Sequence, residues 1–112
     1  MGLFDMINNA MENGKNNEQE AYEWASYQSP ERICQKIASQ NMLFSPYILA
    51  GYKKALDECF STYSENQLIA FYWDMDAIYS VGGRGGANGK MVMSTLRQLL
   101  RKHGIDIGNE FR

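Results

Sequence analysis

A chain of 112 residues with 45% hydrophobic side chains has the length of one domain and enough apolar residues to bury a core. Its only two cysteines, Cys34 and Cys59, are too few for a disulfide framework or a thiolate metal cluster, and no apolar run approaches the roughly 18 residues of a membrane span. The formal net charge of −2 divides unevenly, because residues 1–80 carry 11 acidic and 5 basic side chains whereas residues 81–112 carry 2 and 6. We therefore expect one domain over residues 1–112, in a reducing cytoplasm, with no membrane span, cofactor or metal ion.

The first three predicted helices are short. A helix at Leu3–Met11 and a loop over residues 13–17 precede a second helix at about Glu18–Tyr27. Ser29 followed by Pro30 predicts the start of a third helix, because a serine oxygen accepts an otherwise unpaired N–H and proline has none to satisfy. The residues expected to be buried on the second and third helices are Ala21, Trp24, Ala25, Ile33, Ile37 and Ala38.

The fourth predicted helix has the clearest apolar stripe. It begins at Pro46, after another serine, and extends to about Tyr63. Its apolar residues recur with a 3.6-residue period and predict one buried face. They are Ile48, Tyr52, Ala55, Leu56, Cys59, Phe60 and Tyr63. The charged residues Lys53, Lys54, Asp57 and Glu58 fall on the opposite side and are expected to face solvent.

The fifth element, Ser64–Ser80, has two interpretations. Ser64 and Gln67 have the spacing of a capping box, in which each side chain bonds the backbone N–H of the other residue, and this favours a helix. Apolar residues also alternate over residues 68–79 as they would in a strand. If the segment is helical, apolar residues cover most of its circumference, and we expect it to be the central helix of a bundle.

A glycine-rich segment over residues 82–89 precedes the sixth predicted helix, which extends to about His103. Asn88 is expected to cap the start of this helix, and Gly104 to end it with a left-handed backbone conformation. The tail after Gly104 is expected to pack through Ile105, Ile107 and Phe111. The sequence thus predicts an all-α compact bundle of five or six short helices with a Gly-rich loop before the last long helix.

The glycine-rich loop and the last helix form a candidate site for an anion or a nucleic acid. Free N–H groups at a helix start attract anions, and a basic stripe along the helix provides contacts to phosphates. The residues of this candidate site are Gly83, Arg84, Gly85, Lys90, Arg97 and Arg101. The loop does not match the nucleotide-binding pattern GxxxxGK[ST], and a solvated loop followed by a solvated helix face explains the same residues.

The aromatic residues indicate a different role. Seven Tyr, five Phe and two Trp are many for a bundle of this size to bury, and exposed Trp and Tyr commonly anchor protein interfaces. The candidate partner-binding residues are Trp24, Tyr27, Tyr72 and Trp73, with complete burial in the core as the alternative. His103 is the only histidine, and no residue set in the sequence matches a catalytic pattern, so no catalytic set is predicted.

The sequence therefore favours a small cytoplasmic protein-binding regulator, inhibitor or adaptor that acts by occluding a partner's surface, without catalysis. Its acidic N-terminal three-quarters suit a basic protein partner. The alternative function is binding of a nucleic acid or phosphate ligand through the glycine-rich loop and the basic helix. Association with a second copy of the chain is also compatible with the aromatic residues.

Overall fold

The computed structural model describes residues 16–39, 46–80 and 86–107, and these ranges contain five helices and no strand. The chain is helical over residues 16–26 (α1), and the later helices are α2 (Pro30–Ser39), α3 (Pro46–Phe60), α4 (Glu65–Tyr79) and α5 (Gly86–Lys102). The all-α prediction is confirmed, and the strand alternative over residues 68–79 is wrong. The predicted helix at Leu3–Met11 lies outside the described residues. None of the described helices combines the length and the apolarity needed to cross a bilayer.

The starts of two helices follow the predicted caps. The backbone N–H of Arg32 donates to Ser29 Oγ at 3.2 Å, so Ser29 caps α2 with Pro30 as its first residue. At α4, Gln67 N donates to Ser64 Oγ at 3.2 Å and Ser64 N donates to Gln67 Oε1 at 2.8 Å. Both bonds of the capping box are therefore present, and they fix α4 as a helix.

The helix α3 ends at Phe60, earlier than the predicted Tyr63. The Ser61 hydroxyl donates to the carbonyl oxygens of Asp57 and Glu58 at 3.0 and 2.8 Å. The Thr62 hydroxyl donates to the Cys59 carbonyl at 2.8 Å. Ser61 N still donates to the Asp57 carbonyl at 3.0 Å, but Thr62 N and Tyr63 N donate to the carbonyls three residues before them. The chain therefore tightens into a turn after Phe60, and the hydroxyl groups supply further donors to the last carbonyls of the helix.

The helix α5 begins at Gly86, within the segment predicted as a loop. Asn88 therefore lies inside the helix, and its predicted role as the N-cap is wrong. Each glycine weakens a helix by only about 1 kcal/mol, so the apolar stripe that follows can extend the helix into a glycine-rich start. Gly104 has the predicted left-handed backbone, with a φ of 85°. Ile105 N donates to the Leu100 carbonyl at 2.9 Å and is buried, which completes a Schellman end.

The largest fully buried side chains belong to α2, α3 and α5. They are Ile33, Cys34, Ile37, Leu56, Phe60, Val92, Leu96 and Leu100. The helix α5 packs against α2, α3 and α4, and α2 packs against α3, α4 and α5. The expectation that α4 is the central helix is wrong, because α4 buries one face only and leaves apolar side chains on the other.

The helices α1 and α3 cross at Gly51. A Cβ atom at position 51 would lie 2.8 Å from Ala21 Cβ and 2.9 Å from Tyr22 N, so glycine is required for the two backbones to come this close. Beside the crossing, the rings of Trp24 and Tyr52 lie 5.7 Å apart. Tyr22 Oη donates to Glu58 Oε2 at 2.6 Å. These contacts position α1 on α3.

Candidate functional site

One side of α4 presents apolar residues to solvent. Ala70, Trp73, Ala77 and Ile78 are exposed, and Trp73 and Ile78 retain 37% and 38% of their accessible surface. With 3.6 residues per turn, the alanines fall on nearly the same line of the helix, and Trp73 and Ile78 project on either side of it. We call the surface formed by Ala70, Trp73, Asp74, Ala77 and Ile78 the α4 outer face.

The charge on α4 has a single sign. Its three charged residues are Glu65, Asp74 and Asp76, and its sequence contains no lysine or arginine. Asp74 lies within the α4 outer face, between the line of alanines and Ile78. Asp76 lies beyond Trp73, so one carboxylate is inside the apolar surface and the other borders it. An apolar surface with acidic neighbours is complementary to an apolar surface with basic neighbours.

The four predicted partner-binding aromatics have different surroundings. Trp73 lies on the α4 outer face and contacts the Tyr72 ring edge-on, with 5.1 Å between centroids. Tyr72 itself is buried, and the expectation that it offers surface to a partner is wrong because it points from α4 toward α5. Tyr27 is 88% exposed in the turn after α1. Trp24 is half-buried at a hollow of about 250 Å³ with Tyr52 and Lys36.

The residues of the predicted basic stripe on α5 differ in exposure and in their contacts. Arg97 is half-buried and its guanidinium donates to Tyr72 Oη at 3.2 Å, so it links α5 to α4. Arg101 is exposed, with Nη2 3.9 Å from Asp106 Oδ1, and Lys90 is exposed. Gly83, Arg84 and Gly85 lie outside the described residues. A role of these residues in binding an anion or a nucleic acid stays a prediction.

Asp57 accepts hydrogen bonds from two α5-end residues that are distant in sequence. Lys102 Nζ lies 2.6 Å from Asp57 Oδ2, and His103 Nε2 lies 2.8 Å from Asp57 Oδ1. The bond from Lys102 is the main cause that holds the pKa of Asp57 below its usual value, and His103 lowers it further against the opposing effect of burial. Asp57 was expected to face solvent, but the end of α5 covers it in part and leaves 24% of its side-chain surface accessible.

We expect Asp57→Asn to lower the free energy of unfolding by about 1–2 kcal/mol at neutral pH, because it removes the charge from two bonds in a partly exposed cluster. A lowered pKa in the folded state gives stability that is present above the unfolded pKa of about 3.9 and is lost as pH falls through the folded pKa. The difference between the wild type and the variant should therefore shrink below about pH 4. Urea denaturation between neutral and acid pH measures it.

Asp74→Asn is the matched control for this prediction. Asp74 is exposed, and the same change of charge there should alter the free energy of unfolding by less than about 0.5 kcal/mol. An equal loss in both variants, or a difference that persists unchanged at acid pH, would contradict the stabilising role of the Asp57 cluster.

The metal-ligating side chains of the part of the chain that the structure describes do not cluster. No three His, Cys, Asp or Glu side chains there lie close enough to hold one metal ion. Cys34 is completely buried, and burial raises the pKa of its thiol to about 12, which keeps it protonated at neutral pH. His103 bonds Asp57, and the third member of this partly exposed cluster is the Lys102 ammonium group.

The α4 outer face is thus the candidate site that the described residues offer, because apolar side chains are exposed there. The sequence did not show which apolar residues of α4 face solvent and which face the core. Trp73 was predicted as a contact residue, but Ala70, Ala77 and Ile78 were not, since apolar residues all round a helix also suit complete burial.

No protein-family model matches the chain, and comparisons with the curated proteins and with the solved structures find no match.

Proposed function

We propose that this chain is a non-catalytic protein-binding module, a small regulator, inhibitor or adaptor that acts by covering part of its partner's surface. The observation that supports the proposal is the α4 outer face, where Trp73 and Ile78 remain exposed on a folded bundle. Together with Ala70 and Ala77 they form one apolar surface on α4, and contiguous exposed apolar surface is typical of interaction sites. Exposed tryptophan is also the residue type most enriched among residues that dominate binding energy.

The partner that suits this face is an amphipathic helix with basic residues beside its apolar stripe. The line of Ala70 and Ala77 leaves room for the apolar side chains of a partner helix, and Trp73 and Ile78 form its two walls. Asp74 within the face and Asp76 beside Trp73 are then placed to attract lysine or arginine next to the apolar stripe of the partner. A partner with basic residues is also the one expected from the acidic N-terminal three-quarters of the chain.

A second copy of the chain suits the face less well. A symmetric dimer through α4 would place the same surface of both copies in contact. It would bring the two Asp74 carboxylates toward each other over an apolar contact, where like charges are destabilising. We therefore assign the face to a different protein with basic residues.

The proposal is tested with a helical peptide of leucine and lysine, with leucines at i, i+3, i+4 and i+7 spacing. In a Trp24→Phe background, Trp73 is the only tryptophan, and its emission should shift to shorter wavelength when the peptide removes water from the α4 outer face. Ala77→Lys adds a bulky side chain on the line of alanines, and its charge has the same sign as the lysines of the peptide. It should therefore weaken binding about tenfold or more, which corresponds to about 1.4 kcal/mol.

Two controls make the result specific. A leucine–glutamate peptide of the same pattern should leave Trp73 emission unchanged, because its charges repel Asp74 and Asp76. Gln35→Lys adds the same charge at an exposed site on α2 and should leave the affinity unchanged within about twofold. Equal binding of the two peptides, or equal affinity of the Ala77→Lys and Gln35→Lys variants, would refute the proposed role of the face. Self-association of the free protein that Ala77→Lys abolishes would assign the face to a second copy instead.

A further inference from the structure

A groove of about 590 Å³ lies between α3 and α5. Its lining residues belong to these two helices, so it is distinct from the α4 outer face. Leu49, Ala50 and Leu99 give it an apolar floor. The alkyl stems of lysines on α3 and α5 form part of the walls and extend this apolar surface. The volume lies within the range of about 300–1,000 Å³ that is typical of small-molecule sites. The charged residues of the groove are Lys53, Lys54, Asp57 and Lys102.

The positive charges in the groove are only partly compensated. Asp57 forms an ion pair with Lys102, with 2.6 Å between Nζ and Oδ2. Lys53 Nζ donates to the uncharged Gln98 Oε1 at 2.9 Å, and Lys54 Nζ lies 4.6 Å from the centre of the Tyr22 ring. Neither Lys53 nor Lys54 forms an ion pair with a carboxylate among the described residues. Within the described ranges, these two lysines of the groove thus have uncharged partners only, Lys53 on the α5 side and Lys54 on the α1 side.

We propose that the groove binds a small amphiphilic anion, with a carboxylate or phosphate head on an apolar body. The head lies at Lys53 and Lys54, whose ammonium groups can exchange their present uncharged partners for a charged oxygen and form shorter, stronger hydrogen bonds. The apolar body lies along Leu49 and Leu99. This site goes beyond the proposed protein-binding function and does not depend on it.

The test uses 8-anilinonaphthalene-1-sulfonate, an aromatic anion that becomes fluorescent in apolar sites. A Lys53→Gln/Lys54→Gln variant loses both charges and should bind the dye about three- to tenfold more weakly, given the typical strength of exposed charge pairs. A Lys53→Arg/Lys54→Arg variant keeps both charges and should bind it as the wild type does. Circular dichroism of each variant establishes that the helices are intact.

Displacement of the dye then identifies the ligand chemistry. Decanoate and decyl phosphate should both displace it, and the one that acts at lower concentration identifies the preferred head group. Inorganic phosphate lacks the apolar body and decyltrimethylammonium has the opposite charge, so neither should displace it. Ala77→Lys, on the α4 outer face, should leave the affinity for the dye unchanged, which distinguishes this site from the proposed protein-binding surface.

Three results would overturn the proposal. The first is equal affinity for the dye in the glutamine and arginine variants, which would show that the charges of Lys53 and Lys54 do not contribute. The second is displacement by decyltrimethylammonium as readily as by decanoate. The third is loss of dye binding in Ala77→Lys with normal binding in Lys53→Gln/Lys54→Gln, which would place the dye on α4.

Discussion

Phe60→Ala is expected to lower the free energy of unfolding by about 3–5 kcal/mol, the usual cost of removing a buried aromatic ring. Phe60 is completely buried, and its ring lies 5.3 Å from that of Phe71 on α4 and 5.7 Å from that of Tyr63. The ring thus joins the end of α3 to α4, and its loss leaves a cavity that neighbouring rigid helices cannot close. Domains of this size have total stabilities of about 5–15 kcal/mol, so the variant should be close to unfolding.

Tyr27→Ala is the control for this substitution. Tyr27 is 88% exposed, and removal of its ring should change the free energy of unfolding by less than about 0.5 kcal/mol. Urea denaturation followed by circular dichroism measures both variants. A cost below about 1 kcal/mol for Phe60→Ala, or equal costs for the two, would show that the core is not arranged around Phe60.

Gly51→Leu is expected to cost about 2–3 kcal/mol, near the upper end of the usual range for overpacked sites. Even a Cβ atom there would lie 2.9 Å from the Tyr22 backbone nitrogen, and backbone atoms cannot move aside as the end of a side chain can. The helix α1 must therefore shift away from α3. That shift separates Trp24 from Tyr52 and breaks the Tyr22–Glu58 hydrogen bond. Urea denaturation measures the loss, and near-ultraviolet circular dichroism reports the surroundings of Trp24.

Ala50→Leu provides the matched control, because Ala50 is the adjacent residue of α3 but lines the open groove. The same leucine side chain has space there and should cost less than about 1 kcal/mol. If Gly51→Leu is as stable as Ala50→Leu and keeps its near-ultraviolet spectrum, then α1 and α3 do not cross closely at this position.

Local signals in the sequence were sufficient to predict much of the fold. Ser29, Ser64, Gln67 and Gly104 act through hydrogen bonds or backbone conformations that involve residues at most a few positions away, so the sequence alone indicates them. The buried stripe of α3 was predicted for the same reason, because a 3.6-residue period is visible within one helix. These features required no knowledge of how the helices pack.

Features that depend on the arrangement of helices could not be predicted. Asp57 and His103 are 46 residues apart, and no pattern in the sequence indicates that they meet. The alternation of apolar residues in α4 showed that both sides are apolar but not which side faces the core, since that depends on where α5 and α2 lie. The groove with Lys53 and Lys54 likewise exists only because α5 packs beside α3.

The candidate site was accordingly predicted in part. Trp73 was identified from its residue type, and the structure adds Ala70, Ala77 and Ile78 around it. Tyr72 was selected for the same reason as Trp73, yet it is buried, because its position on α4 turns its side chain toward Arg97 of α5. Residue type alone therefore does not distinguish a contact residue from a core residue on an apolar helix.

The most direct test of the central claim is to map the leucine–lysine peptide onto the ¹⁵N-labelled full chain by NMR. The account predicts that amide shifts concentrate on α4, at Ala70, Trp73, Asp74, Ala77 and Ile78, together with the indole N–H of Trp73. It also predicts that Ala77→Lys strongly reduces these shifts at a peptide concentration near the wild-type Kd, while the spectrum of the folded protein is preserved. Shifts concentrated on α1 or in the groove between α3 and α5, or no shifts on α4 at saturating peptide, would contradict it.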